Sequence, residues 1–579
     1  MNLVKWINEQ DYICLDTEAR GKYLGHFHPN EGLDPYLSEI ISLQIGNEDE
    51  QHIIFGKPSV EIMEALSNKL CIGHNIKYDY KLLYVATGIR LENVYDTMIA
   101  EKLLTNSSKR LTYSLGDVLE RLFDIKMNKS IRESFIDTVI MDEEQITYAL
   151  EDIKHLNRLY LSQLKRCEGK GMQKLFELEM NTVKAIAEME LNGMILNEED
   201  WMDVYNSNLE KMNSIRAELN SFLWKDGKYQ FFDIIERECL INWDSSKQVI
   251  PVFQSYGFDI KSKDHKTGLS IAEKNIKKYS DHPFVDLYLQ YKGIAKSVST
   301  YGQNFIEKYK NPITGRYHPN FNQLVNTGRM SCSNPNLQNI TVGPLRKSWN
   351  TKKLGSSRYL VCDYSKQELC VLADRANDQN LISTLLSEDA HAETAKKIFK
   401  EDYDRDKHRP IGKMVNFAVA YGSTSYALSE NLGVSLEEAD SYIDLFYKAY
   451  DKLAPYFDSI YYKALQDRYI LMDDITNRKF YIETFMRSDE IRRKCQNYPI
   501  QSLSATITKE ALCLAYEFTK NDPRISLLNV QHDEIIFEVN QDYEELEQAI
   551  NDLMVKASKK YLTNIELSVG YLTSKYWDH

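Results

Sequence analysis

The sequence predicts a multidomain α/β protein, and three observations carry that expectation. At 579 residues and ~150 residues per domain, the length allows roughly four structural units. Residues 1–165 alternate short apolar strands (YICLD, ISLQIG, HIIFG) with helical patterns, as an α/β layer does. Beyond them the pattern turns to long helices, interrupted by a strand, RYLVCDY, and an apparent hairpin, ISLLNVQHDEIIFEV.

Composition excludes several classes. With 43% hydrophobic and 27% charged residues and a mean hydropathy of −0.47, the chain can bury large cores. No stretch approaches the ~18 unbroken apolar residues of a membrane span. Lys5 and Glu9 interrupt the start, MNLVKWINEQDYICLD, so no secretory signal is expected. The nine cysteines are scattered, odd in number and never form CxxC. A reducing, cytoplasmic setting fits better than a disulfide framework or a zinc site.

A coarse pass along the chain separates four regions softly: 1–165, 170–310, 311–375 and the remainder. Net charge is −14, which taken alone argues against a polyanionic partner. The average conceals a basic window. From Lys292 to Lys353 the chain carries Lys292, Lys296, Lys308, Lys310, Arg316, Arg329, Arg346, Lys347, Lys352 and Lys353 against Glu307 as its sole acid. Such a run inside an acidic protein predicts a surface that tracks phosphates.

The first chemical constellation lies in residues 1–165. YICLDTE is an apolar strand ending in Asp16-x-Glu18, and period two puts both carboxylates on one face. HNIKYDYKLLY reads as a helix carrying Asn75 and Asp79 four apart, and EEQITYALEDIKHL as another carrying Tyr148 and Asp152 four apart. Hard divalent cations need several oxygen ligands, and two such ions can clamp the attacking and leaving oxygens of a phosphodiester. Each fragment alone is common; order and spacing together are specific. They resemble the proofreading 3′→5′ exonucleases of the DEDD type, tyrosine subclass. DTMIAEKLL and LTYSLGDVLERLF extend the likeness. The resemblance implies an RNase H-like domain with Asp16, Glu18, Asp79 and Asp152 as metal ligands, Tyr148 orienting the attacking water and Asn75 on the DNA.

The second lies in residues 311–579. Asp363 ends the apolar strand RYLVCDY, and His532, Asp533 and Glu534 fall between two apolar runs, hence at a hairpin turn. Acids at two strand ends can share two Mg²⁺ ions. Between them KHRPIGKMVNFAVAYG reads as a helix beginning at Pro410. Arg409, Lys413, Phe417 and Tyr421 recur every fourth residue there. Two cations and two aromatics in one stripe suit a nucleotide's phosphates and base.

These segments resemble motifs A, B and C of family A DNA polymerases, the bacterial DNA polymerase I type. TGRMSCSNPNLQNI (Thr327 to Ile340), GPLRKSW with Arg346, EDAHAETAKKIF with His391 and RRKCQNYPIQSLSATITK with Arg493, Asn497 and Gln501 add to the match. NWDSSKQV and KSVSTY are similar to the family's thumb. The DxE strand begins almost at residue 1, so the likeness is to the large-fragment form, without a 5′-nuclease domain, as among phage and organellar relatives.

What the resemblance implies is concrete. The fold would be an exonuclease domain (1–165), a connector and thumb (166–310), a right-hand palm with an antiparallel sheet (311–375 and 455–579) and helical fingers (376–454). Asp363 and Asp533 would hold two Mg²⁺ ions, which Mn²⁺ can replace, with Glu534 an acidic neighbour of less defined role. Arg409 and Lys413 would grip the β- and γ-phosphates, Lys413 also donating a proton to the leaving group. Phe417 and His391 would line the nucleotide pocket, Tyr421 would hold the template, and Glu368 would exclude a ribose 2′-hydroxyl. Arg329 and Gln501 would probe the minor groove. Arg346, Arg493 and Asn497 would contact DNA, and His532 the primer end. The expected partners are primer–template DNA and dNTPs. A helicase or processivity factor remains open, although no long insertion stands in the thumb segment, and the chain is expected to work as a monomer.

Three features depart from the family pattern: Lys366 with Gln367 in DYSKQEL, Ala418 after Phe417, and Ser502 after Gln501. None removes a ligand, and all touch the nucleotide pocket or its hinge. Three other readings compete. A nuclease whose C-terminal half only grips DNA would need none of Asp363, Lys413 and Asp533. A single-subunit RNA polymerase shares those three but not Glu368, Phe417 or the exonuclease. A non-catalytic scaffold has no reason to keep two metal sites.

Overall fold

The computed structural model describes residues 3–22, 32–106, 110–127, 138, 140–262 and 268–578. They form two compact units, one of Met1–Ile195, Asn311–Ile340 and Leu354–His579, the other of Leu196–Lys310 and Thr341–Lys353.

The first unit opens with a five-stranded mixed sheet of β1 (Tyr12–Gly21), β2 (Ser38–Gly46), β3 (Gln51–Phe55), β4 (Leu70–Gly73) and β5 (Asn93–Asp96), ordered β3-β2-β1-β4-β5. β1 pairs antiparallel with β2 and parallel with β4. The first strand outruns the expectation: it continues past Glu18 to Gly21, with a register shift between Glu18 and Ala19. A bulge there bends the strand just beyond its two acids.

Helix α1 (Lys77–Thr87) begins after Asn75, whose φ is +64°. Asn75 therefore does not share a helical face with Asp79, contrary to the sequence reading. Asparagine tolerates the left-handed region, and the Asn75 amide donates to Asp96 Oδ1 at 3.1 Å. Helix α2 (Glu143–Lys154) carries Tyr148 and Asp152, as the spacing predicted, behind a capping box of Asp142 and Gln145.

Helix α3 (Gln173–Asn192) is buried over most of its length and ends at Gly193. A Cβ on Gly193 would stand 2.7 Å from the His318 ring, so glycine alone fits. Phe176, Met180, Val183 and Ala187 of α3 belong to one hydrophobic core with Leu15, Leu43, Tyr80 and Leu83 of the mixed-sheet region.

The second unit holds α4 (Glu198–Lys225), capped by Asn197, and α5 (Pro283–Thr300), which opens on a proline. Phe253, Phe284, Tyr288 and Trp243 form an aromatic core there. Trp201 meets Trp349 edge to face at 6.1 Å.

The first unit resumes with β6 (Asn320–Asn322) paired with β7 (Ser331–Ser333), then β8 (Arg358–Tyr364) and α6 (Gln367–Ala376). Helices α7 (Ala390–Phe399) and α8 (Arg405–Ala420) follow. Helix α8 starts five residues before the expected Pro410, because Asp404 caps it by accepting from the Lys407 amide at 3.1 Å. Next come β9 (Tyr469–Asp473), β10 (Arg478–Tyr481) and the 32-residue α9 (Ser488–Thr519). β11 (Ile525–Gln531), β12 (Glu534–Val539) and β13 (Val569–Ser574) complete an antiparallel sheet ordered β11-β12-β8-β13. β12 is buried at every residue, its apolar run Ile535–Phe537 standing between Glu534 and Glu538. Among the described residues no helix is long and apolar enough to cross a membrane.

Candidate active sites

On β1, Asp16 and Glu18 flank the buried Thr17 and point to one side. One oxygen from each, together with one from Asp152 on α2, lie within 4.8 Å of one another. Three carboxylates so close repel one another unless a cation joins them, so this cluster suits a divalent ion. Asp79 stands apart from that tight group. It is 3% exposed, and its Oδ1 accepts from the Thr17 amide at 2.9 Å and the Thr17 hydroxyl at 2.6 Å. Burial pushes it up to about 7 against those hydrogen bonds. Tyr148 sits one turn before Asp152, packed with Met141, Ala149, Ile41 and Ile53.

Sequence reasoning missed how α1 is anchored. Lys77 and Lys81 donate to the two oxygens of buried Glu190 at 2.5 and 2.6 Å. The same Glu190 accepts from the Phe321 amide at 2.7 Å. It also missed Asp96, which caps the helix Thr97–Leu104 and holds the Asn75 backbone. A DT dipeptide before a helical run was the available signal.

The second site is a cavity of about 420 Å³ lined by Arg329, Asp363, Glu368, His391, Lys413, Phe417, Tyr421, His532 and Asp533. Nine residues selected from the sequence thus converge. The β8–β12 pairing sets Asp363 opposite Glu534, and the Tyr364 amide donates to the Asp533 carbonyl at 3.4 Å. His532, at φ +59°, makes the turn. Burial and then the like charge of Asp363 push Asp533 up to about 7. Two acids that resist joint ionisation are a natural donor set for divalent cations. Glu534 is 4% exposed and accepts from Trp577 Nε1 at 2.8 Å.

The cations and rings come from α7, α8 and β7's approach. Gly412 lets α8 touch α7: a Cβ there would stand 2.4 Å from the His391 carbonyl. The Phe417 and Tyr421 rings stack at 6.0 Å and 11°, and Asn416 Nδ2 lies 3.0 Å from His391 Nδ1. Burial, then Arg409 and Lys413, hold His391 below its ordinary range. Arg329 and Glu368 form an ion pair, and Tyr421 donates to Glu368. Arg409 lies in an adjoining cavity, its Nε 2.6 Å from Asp389. On α9, Asn497 Nδ2 donates to the Tyr421 carbonyl at 3.3 Å, with Arg493 and Gln501 one turn to either side. Arg346 belongs to the second unit, where it is 4% exposed.

Gln367, a departure from the family pattern, is 3% exposed and donates to Thr508 Oγ1 at 3.2 Å, tying α6 to α9. Ala418 and Ser502 are buried. Unforeseen was the clasp of Gln338 and Gln531. Gln338 donates to the Val530 carbonyl at 3.2 Å, and Gln531 to the Gln338 carbonyl at 2.8 Å. No local spacing announces a pair nearly two hundred residues apart.

The basic window is only partly available to phosphates. Lys310 pairs with Glu198 at 2.6 Å, Arg316 with Glu538 at 2.6 Å, Lys352 with Asp200 at 2.8 Å and Lys353 with Glu199 at 3.3 Å. With Arg329, at least five of its ten cations have a carboxylate partner.

Comparisons with known proteins agree with this geometry. Residues 2–167 match the family model described as 3′-5′ exonuclease, and residues 210–579 match that of DNA polymerase family A. The DNA polymerase I of Borreliella burgdorferi is 28% identical over 610 aligned residues, covering 100% of this chain and 63% of that protein. That of Bacillus subtilis is 30% identical over 72% of this chain and 47% of its own length. That of Aquifex aeolicus is 26% identical, covering 99% of this chain and 97% of its own. This chain therefore spans about half to two thirds of the first two relatives. The solved POL domain of Pol1 from M. smegmatis, in complex with DNA primer-template and dNTP, shares the fold with a TM-score of 0.81 at 21% identity. That likeness covers 100% of this chain and 98% of that one. With the larger part of its length matched by the family model, over the segment that holds the Asp363–Asp533 cavity, the chain belongs to DNA polymerase family A.

Proposed function

We propose that the chain is a template-directed DNA polymerase that adds dNTPs to a primer 3′-end and proofreads through a 3′→5′ exonuclease site. The observation that carries this reading is the convergence of Asp363, Asp533, Lys413, Phe417, Tyr421 and Glu368 on one cavity. A nuclease that merely grips DNA has no use for that set.

Asp363 and Asp533 would hold two Mg²⁺ ions, or Mn²⁺ in their place. Bound there, the ions supply Lewis acidity at the primer hydroxyl and neutralise triphosphate charge. Arg409 and Lys413 bind the β- and γ-phosphates, and Lys413 passes a proton to the departing pyrophosphate. Phe417 packs on sugar and base, and Tyr421 supports the template base. Glu368, held by Tyr421 and Arg329, denies room to a 2′-hydroxyl. Arg329 and Gln501 test minor-groove acceptors common to correct pairs. Arg493 and Asn497 hold the template, and His532 the primer terminus. At the second site Asp16, Glu18, Asp152 and Asp79 would hold the ions, Tyr148 orients water, and Asn75 contacts the strand being shortened.

In this reading residues 1–165 are the exonuclease domain, 166–310 connector and thumb, 311–375 and 455–579 palm, and 376–454 fingers. Work in the cytoplasm on primer–template DNA follows from the same reading.

A 5′-labelled primer on a longer template, with Mg²⁺, tests it. Extension with all four dNTPs and shortening without them is the expected result. Shortening in both lanes would overturn the polymerase reading, and extension without shortening would overturn proofreading.

A further inference from the structure

Two large rings near the start of α9 are exposed and line neither active site. Phe485 stands three residues before the helix and is 59% exposed, and Tyr462, on the helix Leu453–Asp467, is 63% exposed. A ring left in water gains nothing for the core. Neighbouring rings show the ordinary arrangement: Phe480 and Tyr498 pack edge to face at 4.9 Å, with the Lys494 ammonium over both.

Each exposed ring has a guanidinium close by. That of Arg110 lies over the Phe485 ring at 4.4 Å. That of Arg492 lies over Tyr461 at 4.2 Å, and Tyr462 meets Tyr461 edge to face at 5.5 Å. The Tyr461 hydroxyl is 2.6 Å from Ser488 Oγ, in the first turn of α9. Both rings are therefore tied to one helix end.

The carboxylates there are loosely held. Arg110 pairs with Glu483 at 3.2 Å, Arg487 with Asp489 at 3.1 Å and Arg492 with Asp458 at 2.6 Å, and at least a third of every one of these side chains is exposed. Ion pairs so exposed hold weakly, and a phosphate can take the carboxylate's place.

Position selects the ligand. Ser504, Ala505 and Thr508 of α9 line the cavity of Asp363 and Asp533, so the helix leads away from that cavity toward its first turn. From Asn497 back to Ser488 it runs about 14 Å, at 1.5 Å per residue. Paired bases keep their faces inside the duplex stack. Unpaired ones offer them to rings and guanidinium planes whatever their sequence.

We propose that Phe485 and Tyr462, with Arg110 and Arg492, form a stacking platform for unpaired DNA at the head of α9, outside both active sites. The inference rests on the reading of Arg493 and Asn497 as template contacts given above. Bases stack on the two rings while the guanidinium groups exchange their carboxylates for phosphates. The unpaired DNA has two possible sources, the template ahead of the insertion site and a primer end that has left its template.

Anisotropy of the full-length chain on a fluorescent primer–template, in EDTA to prevent shortening, tests this. One set of DNAs carries one, four or eight unpaired template thymidines beyond the same duplex. Another keeps a single unpaired thymidine and has three mismatched residues at the primer end. Wild type is expected to bind the longest overhang about tenfold more tightly than the shortest, the scale of one stacked base. Phe485→Leu with Tyr462→Leu, which keep apolar bulk and remove the rings, should abolish that gain and leave Kd for the shortest overhang unchanged. Phe485→Trp should retain it. Weakened binding of the mismatched primer alone, with the overhang gain intact, would assign the same platform to the primer end. An overhang gain and a mismatched-primer Kd both within twofold of wild type in the double variant would overturn the platform. Equal weakening on every DNA would also overturn it, by marking the rings as support for the fold. Arg493→Ala reports on the underlying reading separately: if it shifted no Kd, the template role of Arg493 would fall, while the difference between overhangs would still decide the platform.

Discussion

Glu179 and Lys509 meet with no surface exposed on either, the ammonium lying 2.8 and 2.9 Å from the two carboxylate oxygens. Arg478 joins at 2.5 Å, and Gln323 donates at 2.7 Å. The cluster ties α3, α9 and β10 to the segment that leads into Arg329. Gly328, at φ +83°, backs directly onto the Arg478 guanidinium, which would be 2.8 Å from any Cβ there.

Glu179→Gln would leave two buried cations short of their counter-charge, at a cost of about 3–5 kcal/mol. A lowered urea midpoint with unchanged m-value is the expected result. Burial opposes ionisation of Glu179, but Lys509 and Arg478 outweigh it and hold the carboxyl below its usual range. Its contribution is therefore complete above the ordinary carboxylate pKa and is lost as pH falls through the lowered one.

His318 provides a second pH dependence. Its ring sits between the Thr314 hydroxyl at 2.7 Å and the Glu190 carbonyl at 2.8 Å. Burial, aided by Lys81 and Arg316 and opposed by that carbonyl and Asp34, holds it below the ordinary 6.5. The unfolded chain then binds the extra proton, so stability falls as pH drops below 6.5. Chemical denaturation across pH 5 to 7 checks this: the stability gap between wild type and His318→Gln should narrow on acidification.

Asp533 and Glu534 are adjacent yet differently employed. Asp533→Ala is expected to reduce primer extension by more than about a hundredfold. Glu534→Ala deprives Trp577 of its acceptor and should cost about 1–3 kcal/mol of stability while extension stays measurable. Thermal melts beside single-turnover extension separate the two.

At the other site, Asp152→Ala removes one of three clustered carboxylates. Shortening of a primer without dNTPs should fall by more than about a hundredfold, with extension by the same preparation unchanged.

Salt dependence should reflect the ion pairs of the basic window. Lys310→Ala and Lys352→Ala each break a pair with a carboxylate, so neither should change the slope of log K against log salt by the ~0.9 that a duplex phosphate contact contributes. Fluorescence anisotropy across a salt series measures it.

The sequence carried most of the chemistry and little of the support. Asp16, Glu18, Asp152, Asp363 and Asp533 were legible because strand ends and helical spacings are local. Arg409, Lys413 and Phe417 were legible for the same reason. Asn75 was misread as helical because the choice between α and left-handed backbone hung on its amide's bond to Asp96. The start of α8 was misjudged because Asp404, an effective cap, lies before the more conspicuous Pro410. Glu179 with Lys509, Glu190 with Lys77, and Lys310 with Glu198 had no local signal at all. Each depends on chain segments far apart in sequence, and charged residues on helices ordinarily read as solvated.

The shared core of α3 has a practical consequence for dissecting the chain. A polymerase fragment starting at Gln173 would turn Phe176, Met180, Val183 and Ala187 toward water and strip Glu190 of Lys77 and Lys81. A nuclease fragment ending before it would lose the other half of the same interface. Cutting the gene in two should therefore yield aggregation-prone pieces rather than two clean catalysts. An editing-deficient or synthesis-deficient version is better made by exchanging single carboxylates in the intact chain.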